Sequence, residues 1–139
     1  MRTKEDVERY LDQMEITYRV LGDGIYRLDD DAPEVEDIVV MVTGPLVIFS
    51  VPFMKLPKAN RTAFYAKLLE LNATAMIAGA YGIDGDRVVI TDTLQLENLD
   101  FNEFEASVTE LAMAIHNHYP ILKTLAEDCA QSDDAKNAD

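Results

Sequence analysis

The residues predict an α+β domain, an antiparallel β-sheet with flanking helices in the order α-β-β-β-β-α-β-β-α. Two observations carry that prediction. Amphipathic runs of helical spacing open, divide and close the chain. Between them lie Val- and Ile-rich runs paired through glycine-bearing turns, the pattern of hairpins packed against helices.

The first helix is expected over residues 4–14. Thr3 can cap it, with Asp6 at the third helical position, and Val7, Tyr10, Leu11 and Met14 form one apolar stripe. Residues 16–21 and 25–28 then read as strands, with Gly22-Asp23-Gly24 supplying a tight loop. Asp29 to Asp37 reads DDDAPEVED. It lacks the alternating oxygen ligands, the central glycine and the terminal glutamate of a calcium loop, so a solvated acidic loop is expected.

Residues 38–42 and 46–53 are the strongest strand predictions, broken by Thr43-Gly44-Pro45. Both runs are apolar on both faces, which implies burial on two sides. One side would take a helix. The other would take a second subunit, a bound peptide or further helices of this chain. A second helix is expected from about residue 58 or 60 to 73. Phe64, Leu68, Leu71 and Ala75 form one row and Tyr65, Leu69 and Met76 the next, a face wider than a small sheet needs.

Residues 76–83 and 87–93 read as a hairpin about Asp84-Gly85, which suits a type I′ turn, with Gly79 and Gly82 marking a bulge or a close backbone approach. Asp100 to Glu103 is a capping box. The helix it opens carries Phe101, Phe104, Val108, Leu111 and Ile115, and Pro120 should end or kink it. One domain is therefore expected over residues 1–126, with an acidic, disordered tail over 127–139.

Charge bounds the function. Twelve Lys and Arg stand against 26 Asp and Glu, a net −14. Such a surface repels phosphate backbones and anionic membranes, so neither nucleic acid nor a membrane is an expected partner. The single Cys129 allows no internal disulfide. The first residues lack a signal peptide's apolar core, and the default is a cytoplasmic protein.

Catalytic signatures are missing. His116 and His118 are two apart on a helix, so they point about 200° apart and cannot share a metal. Cys129 sits beside Glu127 and Asp128, which disfavours a thiolate. The glycine pairs lack phosphate-loop spacing. The expectation is no enzyme, no cofactor and no metal.

Residues 67–94, and on into 100–112, resemble the type III secretion chaperone superfamily, the Tir-chaperone (CesT-like) group with the related YbjN-like proteins. The likeness lies in LLELNA (Leu68 to Ala73), the glycine-aromatic-glycine strand Gly79, Tyr81 and Gly82, the Asp-Gly turn, VVITDTLQL (Val88 to Leu96), and the acid-capped FNEFEASVTELA. It implies a small homodimer without enzymatic activity that holds an effector-like segment, or a YbjN-like regulatory or adaptor module of the same fold. It places the dimer contact on Phe64, Tyr65, Leu68, Leu69 and Asn72. The partner would lie along the sheet and first helix, on a surface drawing on Val7, Leu11, Tyr18, Val47, Phe49 and Val51, partly by strand addition.

Overall fold

A computed structural model of the chain describes residues 2–29 and 38–133. The acidic loop therefore falls outside the described residues from Asp30 to Asp37, and so does the end of the tail, 134–139. The elements run α1 (Lys4–Gln13), β1 (Tyr18–Gly22), β2 (Ile25–Leu28), β3 (Val39–Thr43), β4 (Leu46–Lys55), α2 (Arg61–Thr74), β5 (Ala80–Asp84), β6 (Arg87–Gln95) and α3 (Phe101–Asp133). This is the predicted order. The six strands form one antiparallel sheet ordered β1-β2-β3-β4-β6-β5, which leaves β1 and β5 as its edges.

Register decides what the sheet buries. Tyr26, Val40, Phe49 and Asp92 are paired across four strands, and Val51, Ile90 and Tyr81 across three. Apart from half-buried Asp92, these side chains are buried. The helices lie on their side. Phe104 of α3 packs on Phe49 at 5.5 Å between ring centroids and on Tyr10 of α1 at 5.7 Å. Glu8 of α1 accepts a hydrogen bond from the Tyr26 hydroxyl at 2.6 Å. Farther along α3, Tyr119 meets Phe53 edge-on. The core is thus one layer of apolar side chains between the sheet and three helices.

Local chemistry fixes the ends. The Thr3 N–H donates to Asp6 Oδ2 at 2.7 Å. The Glu103 N–H donates to Asp100 Oδ1 at 2.7 Å, and Glu103 returns a carboxylate oxygen to the Asp100 N–H, completing the expected capping box. The Tyr10 hydroxyl and Arg2 Nε both donate to the Leu99 carbonyl at 2.8 Å, tying α1 to the loop that launches α3.

Several boundaries differ from expectation. Strand β5 starts at Ala80, not Met76, because Gly79 takes φ +76, outside extended space. A Cβ at Gly79 would lie 2.6 Å from the Thr91 carbonyl oxygen, so the close backbone approach expected of a strand glycine is real. The turn between β5 and β6 has Asp84 paired with Arg87, so its central residues are Gly85 and Asp86. Gly85 alone of the two has positive φ, which excludes type I′ and fits the glycine-first pattern of type II′. Finally, α3 continues as helix through Pro120, where an end or a kink is expected, and runs on to Asp133. Pro120, Tyr119 and Ile121 are exposed, so the ring sits on the solvent side. Leu122 and Cys129 stay buried beyond it, and Asn60 Nδ2 donates to the Cys129 carbonyl at 2.9 Å, holding the far turns against the start of α2.

Candidate partner-binding surfaces

The alternating burial of β4 divides its residues between two faces. Val47, Phe49, Val51 and Phe53 are buried, while Leu46, Ile48, Ser50 and Met54 are half-buried and Pro52 is exposed. Leu46, Ile48, Ser50 and Pro52 face away from the helices, while Met54, past a bulge after Pro52, pairs with buried Val88 and packs on the core. The neighbours of Ile48 and Ser50 in register form rows across the sheet: Ile25, Met41, Ile48 and Thr93 in one, and Arg27, Val39, Ser50, Thr91 and Ala80 in the next. All helix contacts traced through Phe49, Tyr26, Phe53 and Tyr81 lie on the other side. Among the described residues this face is left open. Its centre is apolar, through Ile25, Val39, Met41, Leu46, Ile48 and Val89. Its margins carry Arg19, Arg27 and Arg87, with Arg19 in an ion pair with Asp29 at 3.4 Å.

The residues expected to meet a partner lie elsewhere. Val7, Leu11, Val47, Phe49 and Val51 are buried in the chain's own core, and Tyr18 is half-buried against Tyr26. Five of the six therefore have no surface to offer a partner while the fold is intact. The strand residues that reach the open face are their immediate neighbours in sequence, because side chains alternate with period two. The phase was readable in the sequence. Ser50 and Pro52 share a parity with Leu46 and Ile48, and they are the polar and helix-averse members of an otherwise apolar run.

The residues expected in a dimer seam divide in two. Phe64 and Leu68 are buried against the core. Tyr65, Leu69 and Asn72 line a groove of about 280 Å³ with Leu68, Tyr81, Gly82 and Ile83, between α2 and edge strand β5. Leu69 is 68% exposed and Ile83 48%. The wide apolar face expected on this helix is thus shared between core and groove.

Asn72 has a further role in that groove. Its Oδ1 accepts from the Tyr81 N–H at 2.7 Å, and its Nδ2 donates to the Tyr81 carbonyl at 3.2 Å. Its amide thus offers the outward backbone of β5 the same donor-acceptor pair that a neighbouring strand would. The opposite edge, β1, carries Val20 at 64% exposure and an exposed Leu21.

Behind β5 the Tyr81 hydroxyl and His118 Nδ1 are hydrogen-bonded at 2.8 Å, and both side chains are buried. Burial, with the Lys67 ammonium nearby, pushes the imidazole below its usual value. Burial likewise raises the Tyr81 phenol above its own. A neutral His118 with its proton on Nε2 then accepts from Tyr81. The sequence places His118 on a helix and excludes a metal shared with His116, but names no partner for it. Its partner lies 37 residues away, and no local pattern announces such a pair. His116 is exposed, so the two histidines do diverge as their spacing requires. No group of His, Cys, Asp and Glu suited to a metal occurs among the described residues. Among them, too, no helix is long and apolar enough to cross a membrane.

The family model CesT_Tir_1 matches residues 1–128. No curated protein matches the chain. Among solved structures, a chain of the HopA1–SchA chaperone–effector complex aligns with TM-score 0.63 at 11% identity, covering 84% of this chain and 92% of that one. A chain of the heterodimeric ExoU–SpcU complex, from the type III secretion system of Pseudomonas aeruginosa, aligns with TM-score 0.60 at 13% identity, covering 85% and 98%. YbjN from E. coli aligns with TM-score 0.60 at 15% identity, covering 92% and 97%. At these identities the structural likeness concerns the fold.

Proposed function

The chain belongs to the CesT_Tir_1 family of type III secretion chaperone-like proteins, and from that premise we propose that it is a non-enzymatic, cytoplasmic chaperone that holds an extended segment of a partner protein. The observation that carries this is the open sheet face, where Ile25, Met41 and Ile48 stand in register across three strands with no helix over them among the described residues. A segment with alternating apolar residues matches its period, and the unpaired edge of β1 offers backbone groups for strand addition. Similarity to chains of the HopA1–SchA and ExoU–SpcU complexes supports a protein as the ligand. The homodimer is part of the same reading, with Tyr65, Leu69 and Ile83 of the α2–β5 groove as its seam. Phe64, Leu68 and the six inward residues support these surfaces from beneath. Similarity to YbjN favours a second reading, a regulatory or adaptor module that uses the same face for a partner that is not secreted.

Co-purification from the native host, with the bound segment identified by mass spectrometry, tests the reading. Ile48→Lys should lose the captured segment and keep the melting temperature of the parent. An Ile48→Lys protein that retains its partner at full occupancy would rule the sheet face out. A captured secretion effector favours the chaperone reading, and a signalling protein favours the adaptor.

A further inference from the structure

The helical side of the molecule carries an apolar feature of its own, away from the open sheet face. A depression of about 340 Å³ lies between the end of α1 and the middle of α3, lined by Met14, Ile16, Val108, Ala112 and Met113. Across Met113 a smaller depression, about 120 Å³, lies between α3 and the connection from α2 to β5, with Ile77 and Ala114 in its lining. Met113 lines both and is 52% exposed, and Ile77 is 81% exposed. Together they form an interrupted groove crossing α3, apolar on the side of α1 and mixed on the other, where Glu110, Asn117 and His118 join the lining, with a methionine ridge at its middle.

Acids predominate among the charged side chains around this groove, with Lys67 of α2 the cation near His118. Asp12 and Glu15 flank Met14 and Ile16 in sequence and are exposed. Glu105 stands one helical turn before Thr109, a lining residue, and Glu110 lines the smaller depression. Among the described residues no Lys or Arg lines either depression; His116 and His118 are the basic-type side chains there. The open sheet face has mixed charge at its margins, where Arg19 stands beside Asp29 and Arg87 beside Asp84.

We infer that this groove receives one face of a basic amphipathic helix from a partner protein. The physical match has three parts. A helix repeats apolar residues at i, i+3 or i+4, and i+7, about 10 Å end to end, which is also about one helix diameter. Its outer two residues can therefore enter the depressions on either side of α3 while the middle one rests on Met113. Methionine is unbranched and adapts to varied apolar shapes. Lys or Arg on the flanks of the incoming helix would meet Asp12, Glu15, Glu105 and Glu110, and the net charge of −14 draws such a helix in from a distance. A second copy does not supply this chemistry, because its helices α1, α2 and α3 have acids among their exposed residues and no basic face. The inference is independent of the sheet-face reading, since the two surfaces lie on opposite layers.

The test uses the full chain and a synthetic peptide of about 14 residues, four helical turns, with Leu at helical spacing and Lys elsewhere. Calorimetry should show saturable binding. The same residues in scrambled order should bind at least tenfold more weakly, and a Glu-for-Lys version should not bind. Met113→Lys and Thr109→Lys, both at exposed positions, should each weaken binding at least tenfold with unchanged circular dichroism. Ile48→Lys, on the sheet face, should leave it unchanged. Equal binding of the scrambled peptide, or full affinity in both lysine variants, would overturn the inference. Loss of peptide binding in Ile48→Lys alone would move the helix site to the sheet face.

Discussion

Asn72 and His118 hold β5 from its two sides, and each gives a measurable expectation. Asn72→Ala leaves the Tyr81 N–H and carbonyl without their side-chain partner. The groups are part-buried, so the cost should be about 1–3 kcal/mol, read as a lower urea midpoint at unchanged slope. For His118 the sign follows from linkage. Its imidazole is held below the ordinary value of about 6.5, so the unfolded chain binds the proton more readily than the folded one. Stability contributed by the neutral pair is complete above that ordinary value. It declines as the pH falls from there towards the lower folded value. Urea titrations at pH ~7.5 and ~5.5, bracketing the unfolded value, should show a loss that is smaller in His118→Gln. An equal loss in the two proteins would assign the pH response to other groups. At Gly79, alanine meets both a positive φ and the Thr91 carbonyl. The backbone conformation alone should cost about 1–2 kcal/mol, with more from the contact, read as a lower midpoint.

Within β4, neighbouring residues should respond in opposite ways. Phe49→Ala removes a fully buried ring packed on Phe104 and should cost about 3–5 kcal/mol. Ile48→Lys places a charge on the open side and should change stability little while abolishing partner capture. Thermal melts and co-purification on the two variants separate these effects. This strand also shows how far the sequence could be read. Its existence, its start and its two apolar faces were legible from LVIFSVPF, because β-branched and aromatic residues cluster there after a turn. The direction of each face was assigned one residue out of phase. A run apolar on both sides gives the eye no alternation, and only Ser50 and Pro52 break the tie. Helix α3 shows a different limit. Pro120 signals an end or a kink in isolation, and tertiary packing of Leu122 and Cys129 outweighs the lost backbone bond and carries the helix on. The Tyr81–His118 and Asn72–Tyr81 contacts were not legible, since each depends on how β5 settles against helices distant in the chain.

On the scale of the molecule, three helices on one side of a six-stranded sheet leave the other side uncovered among the described residues. The α2–β5 groove is a third exposed apolar region, beside that face and the groove across α3. If it is the dimer seam, Leu69→Glu puts facing carboxylates there, and sedimentation should show a monomer where the parent is a dimer. A monomeric parent at high micromolar concentration would remove the seam from the picture. The two sheet edges add one more consequence. A strand-forming protein with two reactive ends is a bifunctional monomer and can grow without limit. Here Asn72 acts as a partial chain terminator at β5, occupying the two valences of Tyr81, while among the described residues β1 is the other edge of the sheet. The two ends are therefore unequal in reactivity. Edge-to-edge coupling is favoured at β1, where it ends in a closed pair or in a single captured strand.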